Sequence, residues 1–388
     1  MHTLKAWLPA FTGMTCLAFG AGLISIYGFF VEPLSREFGV GVATLNLGPV
    51  ALLLVPGIVA PRVGRLVDRM SIRRLILIGA TFAMVSLAAV SQAPSLRVAA
   101  LAFLCFALGL TLYGPVVING LMVKTYPGRE ARALAVAAMG ISFATALLPP
   151  VVGALLAHLD WRGALLSVAS ALLLLLWLAV LVGIPGRASG LAAAGQHRLA
   201  SGIYRQKVFW LIGLCVALGF NVSIVMAICY PPLFISEGYS VAEAGWFISM
   251  TGMAGLTGKA GIAWLGDAGR NHARWLAAGL LLLQATGACL LLTASDSAGV
   301  LAALCLLGLG GGAFIPMHPY LNSRYYDAEN IGQVNGAQMP LFLPFGLIGA
   351  PLAGYAFDQS GNYDAVLVAV AVALVAAAIL ALALPAPE

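Results

Sequence analysis

The chain has 388 residues, 61% of them hydrophobic and only 9% charged, with a mean hydropathy of +0.99; a soluble domain carries roughly a quarter charged residues. Twenty bases and 14 acids are too few to clothe a water-exposed surface, which excludes a soluble globule and assigns most of the exterior to lipid. The net charge of +6 does not indicate a nucleic-acid binder, because the bases punctuate apolar runs instead of clustering on a face with aromatic company.

About 20 apolar residues in a helix cross a bilayer. By that ruler the predicted spans lie, in chain order, near 7–31, 43–60, 75–93, 97–122, 133–157, 164–184, 208–235, 241–264, 275–294, 299–321, 332–356 and 363–384. Unbroken runs such as Leu172 to Leu176 do not alternate as barrel strands do, so the expected fold is an all-α membrane protein of twelve transmembrane helices. The first run is too long for a signal-peptide core and no small-residue cleavage site follows it, so it is expected to remain as a span. Six cysteines, at 16, 105, 215, 229, 289 and 305, lie inside these runs without CxxC spacing; they predict neither a disulfide framework nor a metal site and read as small core residues. When loops alternate in side, only Arg36, Arg97 and Arg162 fall opposite the other Lys and Arg residues. The positive-inside rule then places both termini in the cytoplasm, with a bacterial-type cytoplasmic (inner) membrane as the expected location.

Sliding the chain against itself by 199 residues superimposes Pro33, Leu34, Gly39, Val42, Ala43, Leu66 and Asp68 on identical residues at 232, 233, 238, 241, 242, 265 and 267. At nearby offsets Cys105 and Lys124 meet Cys305 and Arg324, Pro115 meets Pro316, and Trp161 meets Tyr363. Order is kept throughout, as internal repeats of transporters require. The division expected is a six-helix half at 1–184, a cytoplasmic linker at 185–207 and a pseudo-symmetric six-helix half at 208–388.

Residues 64–74, GRLVDRMSIRR, fall between predicted spans 2 and 3. Gly64 allows close helix approach, and Asp68 can cap a helix start and pair with a nearby arginine. This stretch resembles the cytoplasmic signature of the major facilitator superfamily, although it also suits an ordinary positive-inside loop. FFVEPLSREFG at 29–39, KTYPGREARALAVAAMG at 124–140 and DWRGA at 160–164 are similar to the monocarboxylate and oxalate/formate-type branch of that superfamily. The resemblance implies transport of small organic anions by alternating access between the two halves, with Gly64, Asp68, Arg69, Asp267 and Arg270 as gating residues. In span 1, Gly20, Ala21, Gly22 and Leu23 replace the acidic-glycine motif of the eukaryotic branch, so the resemblance leaves proton coupling open.

Ionisable residues inside spans mark function by default. Lys259, in GLTGKAGIAWLGD, precedes Asp267 by eight residues and sits about 12 Å deeper by helix rise. It resembles the basic residue of span 8 that meets the substrate carboxylate in the monocarboxylate and oxalate families. Gly252, Gly255, Gly258 and Gly261 are expected to leave room beside it, and its gapless mate, Ala60, shows that the repeat itself needs no cation there. Its long stem would alternatively let it snorkel to the interface. Tyr27, Tyr113, Asn119, Asn221 and Gln338 complete the candidate substrate contacts, although tyrosine is also an interface anchor and amides also bond between helices. His318 is expected to stabilise a broken helix end near Pro316 and Pro319.

The function expected is secondary transport of a monocarboxylate-like anion, as symport, exchange or uniport, with a co-transported proton as a further partner. No cofactor is expected, and the chain is expected to act as a monomer. A multidrug or other hydrophobic-compound exporter is the alternative, weakened by the lack of acids deep in any span. An enzyme would need a nucleophile with its base, or a metal cluster, and neither is legible.

Overall fold

The computed structural model describes residues 5–45, 47–184, 202–239, 241–267 and 270–386, so the linker expected at 185–207 lies outside the described residues up to position 201. All regular structure among the described residues is helical. The chain runs through α1 (Leu8–Ser25), α2 (Tyr27–Phe38), the single turn α3 (Val42–Leu45), α4 (Leu47–Arg69), α5 (Ile72–Ser91), α6 (Leu96–Tyr113), α7 (Pro115–Thr125), α8 (Glu130–Leu156) and α9 (Trp161–Gly183). It continues through α10 (Lys207–Ser236), α11 (Val241–Leu265), α12 (Ala273–Thr293), α13 (Ser297–Phe314), α14 (Met317–Tyr325), α15 (Ile331–Gln338), α16 (Phe342–Ser360) and α17 (Asp364–Leu382).

Among the described residues, eleven stretches are long and apolar enough to cross a bilayer. The twelfth, α11, is 25 residues long, and its five glycines and Lys259 dilute its apolar character. Several spans are pairs of helices meeting at a proline. Gly114 has φ −81° and ψ −160° ahead of Pro115, separating α6 from α7, as expected for a residue whose helical conformation the following ring disfavours. Pro316 separates α13 from α14, and a 3-10 turn over Met339–Leu341, containing Pro340, separates α15 from α16.

One predicted boundary is corrected. The second span was expected to end near residue 60, with 64–74 as a loop, yet α4 continues to Arg69. Its exposed arginines lowered the apolar count without breaking the helix. The expectation of core cysteines holds for Cys16, Cys215 and Cys229, whereas Cys105, Cys289 and Cys305 are exposed.

The described chain forms two compact units. The first comprises 1–127, 136–198 and 327–339; the second comprises 128–135, 199–326 and 340–388. In the first, α5 packs on α6 and α9, and α15 packs on α4. The end of α2 is tied to the start of α9 by Glu37, which accepts hydrogen bonds from Trp161 Nε1 and the Arg162 guanidinium. Arg162 also donates to the Ser91 and Ala93 carbonyls and lies over the Trp161 ring at 4.6 Å. That guanidinium holds the Glu37 carboxyl below the usual glutamate range.

In the second unit α11 and α13 interlock through glycines. A Cβ at Gly258 would overlap the Leu309 carbonyl, and one at Gly312 would overlap the Gly255 backbone. Small residues of this kind let membrane helices approach backbone to backbone. The glycines expected to make room for Lys259 therefore divide: Gly255 and Gly258 seat α11 on α13, while Gly252 and Gly261 have nothing within 4 Å of an added Cβ.

Candidate functional site

Lys259 is the one buried lysine or arginine among the described residues, with 4% of its surface exposed. It lies on α11, one residue past the glycine that brings that helix against α13. Asn221, also in the second unit, is 4% exposed on α10. Its Nδ2 donates to the Ala217 carbonyl at 2.7 Å and the Phe342 carbonyl at 3.1 Å. Two carbonyl acceptors fix the amide orientation, because only the nitrogen side can serve both. The buried Oδ1 accepts no hydrogen bond among the described residues. His318 is buried on α14 with its ring 5.4 Å from Phe342. It lies on the helix that begins after Pro316.

The first unit holds the other candidate contacts. Tyr113 is fully buried at the end of α6, and its hydroxyl has no hydrogen-bond partner among the described residues. Asn119 is half-buried on α7, and Gln338 is fully buried at the end of α15. Tyr27 is engaged locally: its hydroxyl donates to the Leu45 carbonyl, and its ring lies 5.7 Å from Phe103. It thereby fastens α2 to the turn before α4.

The gating candidates form two related clusters. In the first unit, Asp68 Oδ1 accepts from Lys124 Nζ at 2.8 Å and from the Gly332 amide at 3.2 Å, and Oδ2 accepts from the Gln333 amide at 2.7 Å. These amides open α15, where helical N–H groups have no intrahelical acceptor and the dipole favours an anion. A Cβ at Gly64 would overlap the Gly332 carbonyl, and one at Gly332 would lie 2.7 Å from the Gly64 carbonyl. The cation beside Asp68 is Lys124; Arg69, the neighbour favoured by sequence, is exposed and in no ion pair among the described residues. Successive helical residues point about 100° apart, so a carboxylate turned toward α15 leaves its neighbour turned away.

In the second unit, Asp267 Oδ1 accepts from the Ala131 amide, at the start of α8, at 3.0 Å. Arg132 donates to the Ala263 carbonyl at 2.9 Å, with its Nε 3.9 Å from Asp267. Burial raises the Asp267 carboxyl above the usual aspartate range. The side chain of Arg270 lies outside the described residues. Arg324, the repeat mate of Lys124, pairs with Glu130 at 3.3 Å instead of with Asp267. Sequence reasoning missed Lys124, Glu130, Arg132, Gly332 and Gln333 as members of these clusters. The signal that could have found them is the repeat, since Asp68 and Asp267 are 199 residues apart while their amide donors Gly332 and Ala131 are 201 apart.

Among known proteins, the family model of the Major Facilitator Superfamily matches residues 11–346. A curated relative, monocarboxylate transporter 13 of Bos taurus, is 26% identical over 250 residues, covering 63% of this chain and 58% of that protein's length. The 2-nitroimidazole transporter of Escherichia coli (strain K12) is 27% identical over 268 residues, covering 67% of this chain and 65% of its own. A solved structure of the proton:xylose symporter XylE, bound to 6-bromo-6-deoxy-D-glucose, is similar at a TM-score of 0.77 and 15% identity, covering 98% of this chain and 95% of that one. Eleven candidate spans and α11 among the described residues, and a family model running through most of the sequence, lead to one assignment: the chain is a multi-pass membrane protein and belongs to the Major Facilitator Superfamily, a family of transporters and not of enzymes.

Proposed function

We propose that this transporter moves a small monocarboxylate-like anion by alternating access, with Lys259 as the electrostatic anchor for the carboxylate. The observation that carries the reading is a lysine 4% exposed on a membrane-spanning helix. A cation at that depth is expensive and is retained where charge is used. The monocarboxylate transporter among the relatives supports the same substrate class. Lysine provides a compact point charge without arginine's planar fork, which suits a single carboxylate moved between sites better than a bidentate clamp. Asn221, in the same unit as Lys259, adds a polar contact through an acceptor oxygen that has no partner among the described residues.

Asp68 and Asp267 act in this reading as two latches, each holding the first amides of a helix that restarts on the cytoplasmic side. Release of a latch frees that helix start, and the difference in latch strength between states biases the transport cycle.

The test is uptake of lactate, pyruvate, formate, oxalate and glycolate into proteoliposomes by wild type, Lys259→Ala and Lys259→Arg, with and without an imposed pH gradient. Uptake of one anion, abolished in folded Lys259→Ala, supports the reading, and the gradient decides proton coupling. Unchanged uptake in Lys259→Ala removes it. A second reading, export of small hydrophobic compounds, is favoured by the 2-nitroimidazole transporter among the relatives and predicts transport insensitive to Lys259.

A further inference from the structure

The cytoplasmic half of α4 carries three arginines on one line. Ile58, Arg62, Arg65 and Arg69 are spaced i, i+4, i+7 and i+11, within about 60° of one another around the helix. All four are exposed. The opposite face, through Gly57, Ala60, Val63, Gly64 and Val67, is the buried one that meets α15. The next helix repeats the arrangement in reverse: Arg74 begins an exposed line that continues through Ile78 and Val85, flanked by Phe82. Two helices consecutive in the chain thus each present an exposed line that ends in guanidinium groups. None of Arg62, Arg65, Arg69, Arg73 and Arg74 is in an ion pair among the described residues.

From these observations we propose that the outer face of α4 and α5 is a binding site for an acidic phospholipid. The phosphate is held by Arg62, Arg65 and Arg69, and an acyl chain lies along Ile58, Ile78 and Val85. Depth selects a lipid over a soluble anion. Arg62 lies about 10 Å along the helix from Arg69, so the line runs from water to the level where phosphate meets acyl chain. Guanidinium matches phosphate oxygens bidentately and keeps its charge there. At the gapless offset the internal repeat does not carry these charges. The gapless mates of Arg62, Arg65, Arg69, Arg73 and Arg74 are Gly261, Trp264, Ala268, His272 and Ala273, with no lysine or arginine among them.

The experiment is native mass spectrometry of the full-length protein released from vesicles of equal phosphatidylcholine and phosphatidylglycerol, with and without excess inorganic phosphate. Wild type is expected to retain phosphatidylglycerol over phosphatidylcholine by about a hundredfold, given the attraction of three cations near the surface, and phosphate should not displace it. The triple variant Arg62→Gln, Arg65→Gln, Arg69→Gln should lose that preference. Its control is Arg129→Gln, Arg205→Gln, Lys207→Gln, which removes as many exposed cytoplasmic charges elsewhere and should keep it. Three results would each overturn the site: no lipid preference in wild type, equal loss in the control, or displacement by free phosphate. The wild-type arms decide the matter even if a variant fails to fold.

Discussion

Replacing Asp68 by asparagine keeps the side-chain shape and removes its charge. The aspartate accepts three hydrogen bonds, from Lys124 Nζ, the Gly332 amide and the Gln333 amide, and its side chain is 11% exposed. Hydrogen bonds to a charged acceptor contribute about 1.5–3 kcal/mol each. Asparagine retains one acceptor oxygen, so either the Gln333 amide, or the Gly332 amide together with the Lys124 ammonium, loses its partner, and every bond that remains loses its ionised acceptor. A net loss of about 3 kcal/mol at the start of α15 follows, equivalent to about a 150-fold change in local opening. Neither amide has an acceptor within its own helix, so its protection against hydrogen exchange reports the Asp68 contact directly. Exchange at Gly332 and Gln333, measured by mass spectrometry on the reconstituted protein, should accelerate by about two orders of magnitude in Asp68→Asn, with α12 unchanged as an internal reference. Rates equal to wild type would refute the latch, because the amides would then owe their protection to something other than this carboxylate.

Other substitutions test separate parts of the account. Gly258→Ala forces a methyl group onto the Leu309 carbonyl and should cost about 1–3 kcal/mol through overpacking, seen as a lower Tm. Gly252→Ala, where an added Cβ meets nothing within 4 Å, should be neutral or slightly stabilising. Tyr113→Phe removes a buried hydroxyl that has no partner among the described residues and should leave Tm unchanged or raised; a clear fall in Tm would show that the hydroxyl is satisfied within the fold. Glu37 provides a pH test. Arg162 lowers its pKa below the ordinary 4.5, so its stabilising contribution is complete above the unfolded-state value and is lost as pH falls through the depressed folded-state value. Trp161 fluorescence should report that acid transition, and Glu37→Gln should abolish it.

The span count was legible because hydrocarbon thickness sets a strict length for apolar runs, and the similar surroundings of Asp68 and Asp267, each accepting from an amide at a helix start, were foreshadowed by the recurrence of aspartate 199 residues on. Boundaries were less legible where helix and membrane part company. A helix continues as long as its backbone bonds are made, and Arg62 and Arg65 extend α4 with their charges exposed. The partner of Asp68 could not be read locally, since Lys124 is 56 residues away and Gly332 is 264. Adjacent Arg69 was the natural guess, and helix geometry turns it away. The glycines around Lys259 carried two signals in one motif: close approach at Gly255 and Gly258, open space at Gly252 and Gly261. Composition cannot separate these, because the distinction depends on where α13 passes.

The central claim is that Lys259 recognises a carboxylate. The most direct measurement is equilibrium binding of radiolabelled lactate to purified wild type and Lys259→Met, with unlabelled lactate and lactamide as competitors, since the amide matches the acid in shape without its charge. If the claim holds, wild type binds lactate, lactate competes far better than lactamide, and Lys259→Met loses that discrimination while keeping its fold by circular dichroism. Equal competition by acid and amide in wild type, or undiminished discrimination in Lys259→Met, would contradict it.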